Sequence, residues 1–333
     1  MLMLTDTWVI AQLLGQFCLL LLASVALFWS VRLVFSWQQG STSPLQIALE
    51  KRTYLVSAIL EMLMLLQMLL VVIYLVTLNE HLPALLKGAM CAEGSLAAND
   101  YGKPAFILKI SSFIGSLFFY LLNHLDQKDP ASALTPRKYW VLFMILPLLF
   151  LDFTTTFLYY ANIDPQVITT CCSVNLFEKR LNPHQFLEAS ALTEKAVWTF
   201  YALILLQTFL VLLLKKIIKK KGFILFWLLL LVVYTFVGVH SLENHFVKYI
   251  YGLPSHLCLY DTFLGHYHYV GYALTSGYLM LWVSLLWLFL VCFFGKKIGY
   301  QIPYRKLQFW LLWGLLLSGV LPSLYEWFWE GKL

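Results

Sequence analysis

The sequence predicts an all-α, polytopic integral membrane protein of about eight transmembrane helices with three folded extracytoplasmic loops, and three observations carry that prediction. First, 61% of the 333 residues are hydrophobic and 12% are charged, where a soluble domain has about 45 to 50% and about 25%. Second, eight apolar runs approach the roughly 20 residues that cross the hydrocarbon core at 1.5 Å each. Third, lysine and arginine alternate between the loops. The loops after runs 1, 3, 5 and 7 hold 15 of them, against 7 in the other loops and the termini. Cytoplasmic loops hold the excess of positive charge, so both termini are expected outside the cytoplasm. The net charge of +6 then reports orientation, through loop residues such as Lys215, Lys216, Lys219, Lys220 and Lys221, and nucleic acid is excluded as a partner.

The runs fall at about 8–31, 54–78, 105–122, 139–160, 196–214, 223–240, 270–294 and 307–327. Lipid offers no partner to an open backbone, so runs of this length are helices and not strands. The leading MLMLTDT has no basic region, so the first run is expected to stay as a helix. Ser43-Pro44-Leu45-Gln46 is a capping pattern with proline at the first helical position, which starts helix 2 before the membrane. Helix 2 then carries Glu61 and Gln67. Helix 3 follows Pro104 and carries Lys109, with Ser111, Ser112, Gly115 and Ser116 spaced for close packing. Helix 4 holds Pro147 and Asp152, a kink signal and a buried acid. Asn182-Pro183 predicts a short surface helix ahead of helix 5. Helix 6 is expected to end at His240, and helix 8 ends in the interfacial aromatics Tyr325, Trp327, Phe328 and Trp329. The chain reads as a single transmembrane helical domain, with compact loops that suggest a bacterial cytoplasmic membrane and with no internal repeat in the residues.

The chemistry-bearing side chains gather in the outer loops. The stretch from His240 to His268 alone holds five of the eight histidines. His256, Cys258 and Asp261 lie within six residues of one another, and His240, His266 and His268 flank them. Thiolate with imidazole suits copper or zinc, although no strict metal-binding spacing is present. The competing bland reading has these histidines hydrogen-bonded among interfacial tyrosines. Cys91, Cys171, Cys172 and Cys258 form a second expected group, either disulfide staples or a redox set. The absence of C-x-x-C favours staples, with Cys171 and Cys172 each pairing to Cys91 or Cys258. Cys18 and Cys292 lie inside helices, where an apolar setting leaves a thiol unreactive. His240 with His266 or His268 suits a b-type haem, or the loops a quinone, and covalent haem is excluded by the lack of C-x-x-C-H.

Glu61, Lys109 and Asp152 are a separate signal, because a charge in the bilayer faces a protein interior or water. By helical rise, Lys109 and Asp152 sit about 7 and 12 Å deep on the same side and are placed to pair. A pair that locks helices 3 and 4 is the bland alternative to a proton or ion path, and it is favoured because no broken helix pair or inverted repeat accompanies these charges. Glu61 is expected to reach for Arg52 or water. These observations support three functions. The first is a metal-handling or redox-linked accessory subunit of a membrane respiratory or metalloenzyme system, partnered by other membrane or periplasmic subunits. The second is a permease with Glu61, Lys109 and Asp152 along its path. The third is a structural subunit with disulfide-stapled loops.

Overall fold

Each of the eight apolar runs folds as a helix long and apolar enough to cross a membrane. The computed structural model describes residues 2–38, 41, 43–128, 134–166, 183–217, 221–252, 258–295 and 303–329, with side chains of 183–191 left aside. The long helices are α1 (Thr7–Ser36), α2 (Pro44–Leu85), α3 (Gly102–Asp126), α4 (Thr135–Ala161), α5 (Pro183–Leu212), α6 (Lys221–Tyr251), α7 (Val270–Phe294) and α8 (Tyr304–Trp329). No strand occurs among the described residues. Large apolar side chains on the outward faces are exposed, such as Met144 at 80% and Phe236 at 74%, as expected for helices solvated by lipid. The chain is an all-α integral membrane protein.

It divides into two compact units, Met1–Thr169 with Phe294–Tyr300, and Thr170–Phe293 with Gln301–Leu333. In unit 1, α1 packs on α2 and α4, and α3 closes the ring by packing on the same two helices. Leu60, Leu63, Met64, Phe119, Leu142 and Ile145 fill the middle of that ring. Unit 2 repeats the plan, with α5 and α7 each packed on α6 and α8. Its core is more aromatic: Phe200 stacks on Tyr234 with centroids 5.5 Å apart, and Phe246 and Tyr278 flank them.

Local chemistry sets the helix ends. Ser43 Oγ accepts the Gln46 N–H at 3.2 Å, with Pro44 next, so α2 starts where the capping pattern places it. Asp6 caps α1 by accepting the N–H groups of Trp8 at 3.0 Å and Val9 at 3.3 Å. Two expected ends are corrected. The short surface helix before helix 5 is instead part of one continuous helix, Pro183–Leu212. Helix 6 does not stop at His240 but runs on to Tyr251. The reason is the same in both: after Pro183 and after Gly238, no glycine or proline interrupts the chain until the helix is complete, so nothing opposes propagation.

The two units also share a detail that residue identity hides. In each, the second helix passes through a π turn, Thr77–His81 in unit 1 and Leu242–Phe246 in unit 2. Each turn carries Leu-x-x-His, as Leu78 to His81 and Leu242 to His245, with a glycine seven residues after the histidine. Those glycines, Gly88 at φ 84° and Gly252 at φ 64°, are the left-handed glycines among the described residues. Gly252 ends its helix by returning its N–H to the Lys248 carbonyl, a cap that a side chain would strain. A buried cysteine follows in both, Cys91 and Cys258.

Candidate functional site: buried ion pairs in the first unit

Lys109 and Asp152 are both fully buried. Their charges meet at 2.8 Å between Nζ and Oδ1. The pairing expected from helical rise is therefore formed. Thr156 Oγ1 donates to Oδ1 at 3.3 Å, while Ser112 Oγ, Gln67 Nε2 and Gln16 Nε2 lie 2.9, 3.1 and 3.3 Å from Oδ2. All four helices of unit 1 thus converge on one carboxylate. Lys109 is less well served: its Nζ lies 5.0 Å from the centre of the Tyr74 ring, and beyond the ion pair it has no hydrogen-bond partner among the described residues. Taking such a charge out of water costs several kcal/mol unless it is compensated. An apolar pair of equal volume would hold these helices together at lower cost, so the pair itself needs a reason.

A second pair lies at the opposite end of the same unit. Lys138 and Asp126 are 1% and 4% exposed, with Nζ 2.5 Å from Oδ2. Ser57 Oγ at 2.8 Å and Asn123 Oδ1 at 3.1 Å complete the ammonium shell, and Thr135 Oγ1 donates to the carboxylate. Glu61 joins this end. It is held by Gln127 Nε2 at 2.8 Å and Asn123 Nδ2 at 3.4 Å, and Arg52 lies over the Trp29 ring instead. Of the two partners expected for Glu61, Arg52 or water, Arg52 is replaced by two amides that meet one carboxylate oxygen. The pair lines an open cleft with Trp37, Glu50, Thr53 and Tyr54. Lys138 stands fourteen residues before Asp152 on α4, or about 21 Å by helical rise. Between them lies the apolar layer of Leu60, Phe119 and Ile145.

Both π-turn histidines meet a carboxylate through the same ring nitrogen. His81 Nε2 is 2.8 Å from Asp6 Oδ2 in unit 1, and His245 Nε2 is 2.6 Å from Glu326 Oε1 in unit 2. Tyr201 donates its hydroxyl to the other Glu326 oxygen. Burial opposes ionisation of Asp6, but the His81 hydrogen bond, the Val9 N–H, the His81 charge and the Trp8 N–H outweigh it and hold the carboxyl below its ordinary value.

No protein-family model, curated protein or solved structure matches this chain.

Of the expected metal ligands, Cys258 and Asp261 are 2% and 7% exposed, and Cys258 Sγ lies within 4.8 Å of an Asp261 carboxylate oxygen. The Tyr251 hydroxyl donates to the Cys258 carbonyl. Burial, then the Asp261 charge, push the neighbouring Tyr267 phenol up. His240 is exposed beside Asn244 on α6, and His266 and His268 are exposed on the 3-10 turn before α7. Among the described residues these three belong to no cluster of metal-ligating groups. His256, Cys171 and Cys172 lie outside the described residues, and with them the expected disulfide partners. No disulfide joins the described cysteines Cys18, Cys91, Cys258 and Cys292 to one another.

Sequence reasoning missed Asp126, Lys138, Gln12, Gln16 and the histidine–carboxylate pairs. Lys138 falls in the loop between runs 3 and 4, where its charge reads as an orientation signal. Two signals were available: glutamines four apart in an otherwise apolar run, and the same Leu-x-x-His spacing to glycine at two helix ends.

Proposed function

We propose that the chain is a permease-type protein of the bacterial cytoplasmic membrane, with both termini outside the cytoplasm, whose first four-helix unit moves protons between two buried acid–base stations. The observation that carries this reading is the fully buried Lys109–Asp152 pair, served by all four helices of unit 1. Five donors surround the Asp152 carboxylate, and a proton arriving at it removes the counter-charge of an ammonium that has no other hydrogen-bond partner among the described residues. The Lys138–Asp126 pair offers a second station reached from the opposite cleft. The apolar layer between the stations separates them and opposes leakage, and charge crossing it requires a change of conformation or of hydration. Glu61, beside the second station, contributes charge at the cleft end. The positive-charge imbalance supports the orientation even with Lys138 removed from the cytoplasmic count.

The test is pH-driven proton flux in proteoliposomes containing the purified full chain and a pH-sensitive dye. The reading expects flux that is lost in Asp152→Asn and survives in Cys258→Ser. Flux absent from the native protein, or unaffected by Asp152→Asn, removes it.

A second reading is favoured by the buried Cys258–Asp261 pair: a metal-handling or redox-linked subunit of a respiratory system, working with other membrane or periplasmic subunits. A thiolate and a carboxylate supply two of the four ligands of a closed zinc site, and His256 stands two residues from Cys258. Copper or zinc retained by the purified chain and lost in both Cys258→Ser and Asp261→Asn supports it. A metal content unchanged by both substitutions removes it.

A further inference from the structure

The half of unit 1 between the Asp6–His81 pair and the Lys109–Asp152 pair holds polar atoms that no protein group satisfies. Gln12 Nε2 and Oε1, Gln16 Oε1, Asn79 Nδ2 and Oδ1 and Tyr160 OH are all buried and have no hydrogen-bond partner among the described residues. Gln12 and Tyr160 are 0% exposed, Gln16 is 2% and Asn79 4%. Left dry, so many unpaired groups would forfeit a large part of a domain's stability. Their positions are ordered. Asp6, Gln12 and Gln16 descend α1, covering about 15 Å by helical rise. His81, Asn79, Tyr74 and Gln67 descend α2 toward the same carboxylate. Tyr160, two turns from Asp152 on α4, lies within electrostatic reach of both Asp152 and Asp6, and its ring is 6.5 Å from that of Tyr74, which carries Lys109 on its face. Asp6 and His81 at the top are 18% and 29% exposed, so the line begins at solvent and ends at the buried pair.

We infer that this half of unit 1 is a hydrated proton path, entered between Asp6 and His81, lined by Gln12, Asn79 and Tyr160, and closed at its inner end by Lys109 and Asp152. The inference deepens the proton reading above and rests on it. The ligand class is water carrying protons: the lining offers donors and acceptors in near-equal number and no net charge, and each lining group can supply one of the two to four partners that a buried water takes. A bare metal cation finds oxygen ligands here, but of the two carboxylates Asp152 is already neutralised by Lys109 and Asp6 is engaged by His81. Unit 2 serves as an internal control. It has the same π turn and the same histidine–carboxylate pair, and Ser241 Oγ, the Tyr278 hydroxyl and Gln207 Nε2 also lack a partner among its described residues. They do not form a line from the pair inward: the stacked Phe200, Tyr234 and Tyr278 rings fill that interior, with the Tyr234 hydroxyl held by Ser318 at 2.9 Å.

Hydroxyl-radical footprinting of the native full chain in lipid nanodiscs tests the path directly, because radicals formed from bound water oxidise the side chains beside it. Tyr160 and Tyr234 are equally buried, both at 0%. The path expects Tyr160 to be oxidised at least about tenfold faster than Tyr234. It also expects Gln12→Leu and Asn79→Leu, which dry the lining without touching the pair, to cut proton flux by a similar factor. Equal protection of Tyr160 and Tyr234 overturns the inference, and flux that persists alongside it leaves the proton reading standing with its route elsewhere. Tyr160 oxidised in a native protein that moves no protons keeps the water and removes the proton reading.

Discussion

Replacing Asp152 by asparagine removes the counter-charge of Lys109 while nearly preserving shape. Two responses are open to the lysine. It can remain charged without a partner, at about 3 to 5 kcal/mol for breaking a buried pair from one side. Alternatively it can release its proton to water, and at pH 7 that costs about 1.4 kcal/mol for each of roughly 3.4 units below an ordinary lysine value, or about 5 kcal/mol. The smaller cost governs, and water reaching the pair from the Asp6 end lowers it further, so a loss of about 3 kcal/mol is expected. Lys109→Met added to Asp152→Asn removes the orphaned charge and returns at least half of that loss, a coupling of about 1.5 kcal/mol or more. Reversible unfolding in mixed micelles, followed by helical circular dichroism on the native chain, the two single variants and the double variant, measures all four corners. A cost below about 1 kcal/mol for Asp152→Asn, or a double variant that sums the two single losses, would refute the claim that these charges depend on each other.

The hold on Asp6 makes a pH prediction. Its carboxyl is depressed, so the stabilisation is present above the unfolded value of about 3.9 and is lost as pH falls through the folded one. Melting of the native chain should therefore steepen below about pH 4, and Asp6→Asn, which keeps a capping oxygen but no charge, should flatten that limb. Gly102 admits no side chain, because a Cβ would stand 2.1 Å from the Leu96 carbonyl oxygen; Gly102→Ala should cost about 1 to 3 kcal/mol or more. Gly115→Ala meets Ile145 at 3.5 Å and Leu148 at 3.7 Å, ordinary contact distances, and by helix propensity it should be neutral or stabilising by up to about 1 kcal/mol in the same melt.

The helices were legible because lipid leaves the backbone a single solution, so apolar length alone located all eight. Their ends were less legible. Capping residues placed the start of α2, but the continuations of α5 and α6 depended on the lack of a breaker in segments whose polarity reads as loop. The interior of unit 1 was half visible. Lys109 and Asp152 stand out as charges in apolar runs, and helical rise brings them to one depth. Asp126 and Lys138 do not stand out, because they flank a predicted loop, where charge is ordinary; only the packing of α3 on α4 shows that both point inward. Glutamine is harder still, since a neutral amide in a membrane helix is as often an interhelical contact as a functional group.

The comparison between the two units sharpens what the charges are for. Both are closed rings of four helices with the same π turn, the same left-handed glycine and the same histidine held by a carboxylate through Nε2. If buried ion pairs were needed to hold such a ring closed, unit 2 would need them too. Instead Trp227 donates to Gln207, Tyr234 meets Ser318, and aromatic rings fill the space between. Among the described residues unit 2 closes its ring without a fully buried ion pair, and the two pairs in unit 1 add a desolvation cost that such a frame does not require. A cost borne by one of two like units is explained by something only that unit does. A chain whose unit 1 interior is rebuilt on the aromatic plan of unit 2 should accordingly fold at least as well while losing proton flux, and a rebuilt chain that retains flux would show that the charges serve packing after all.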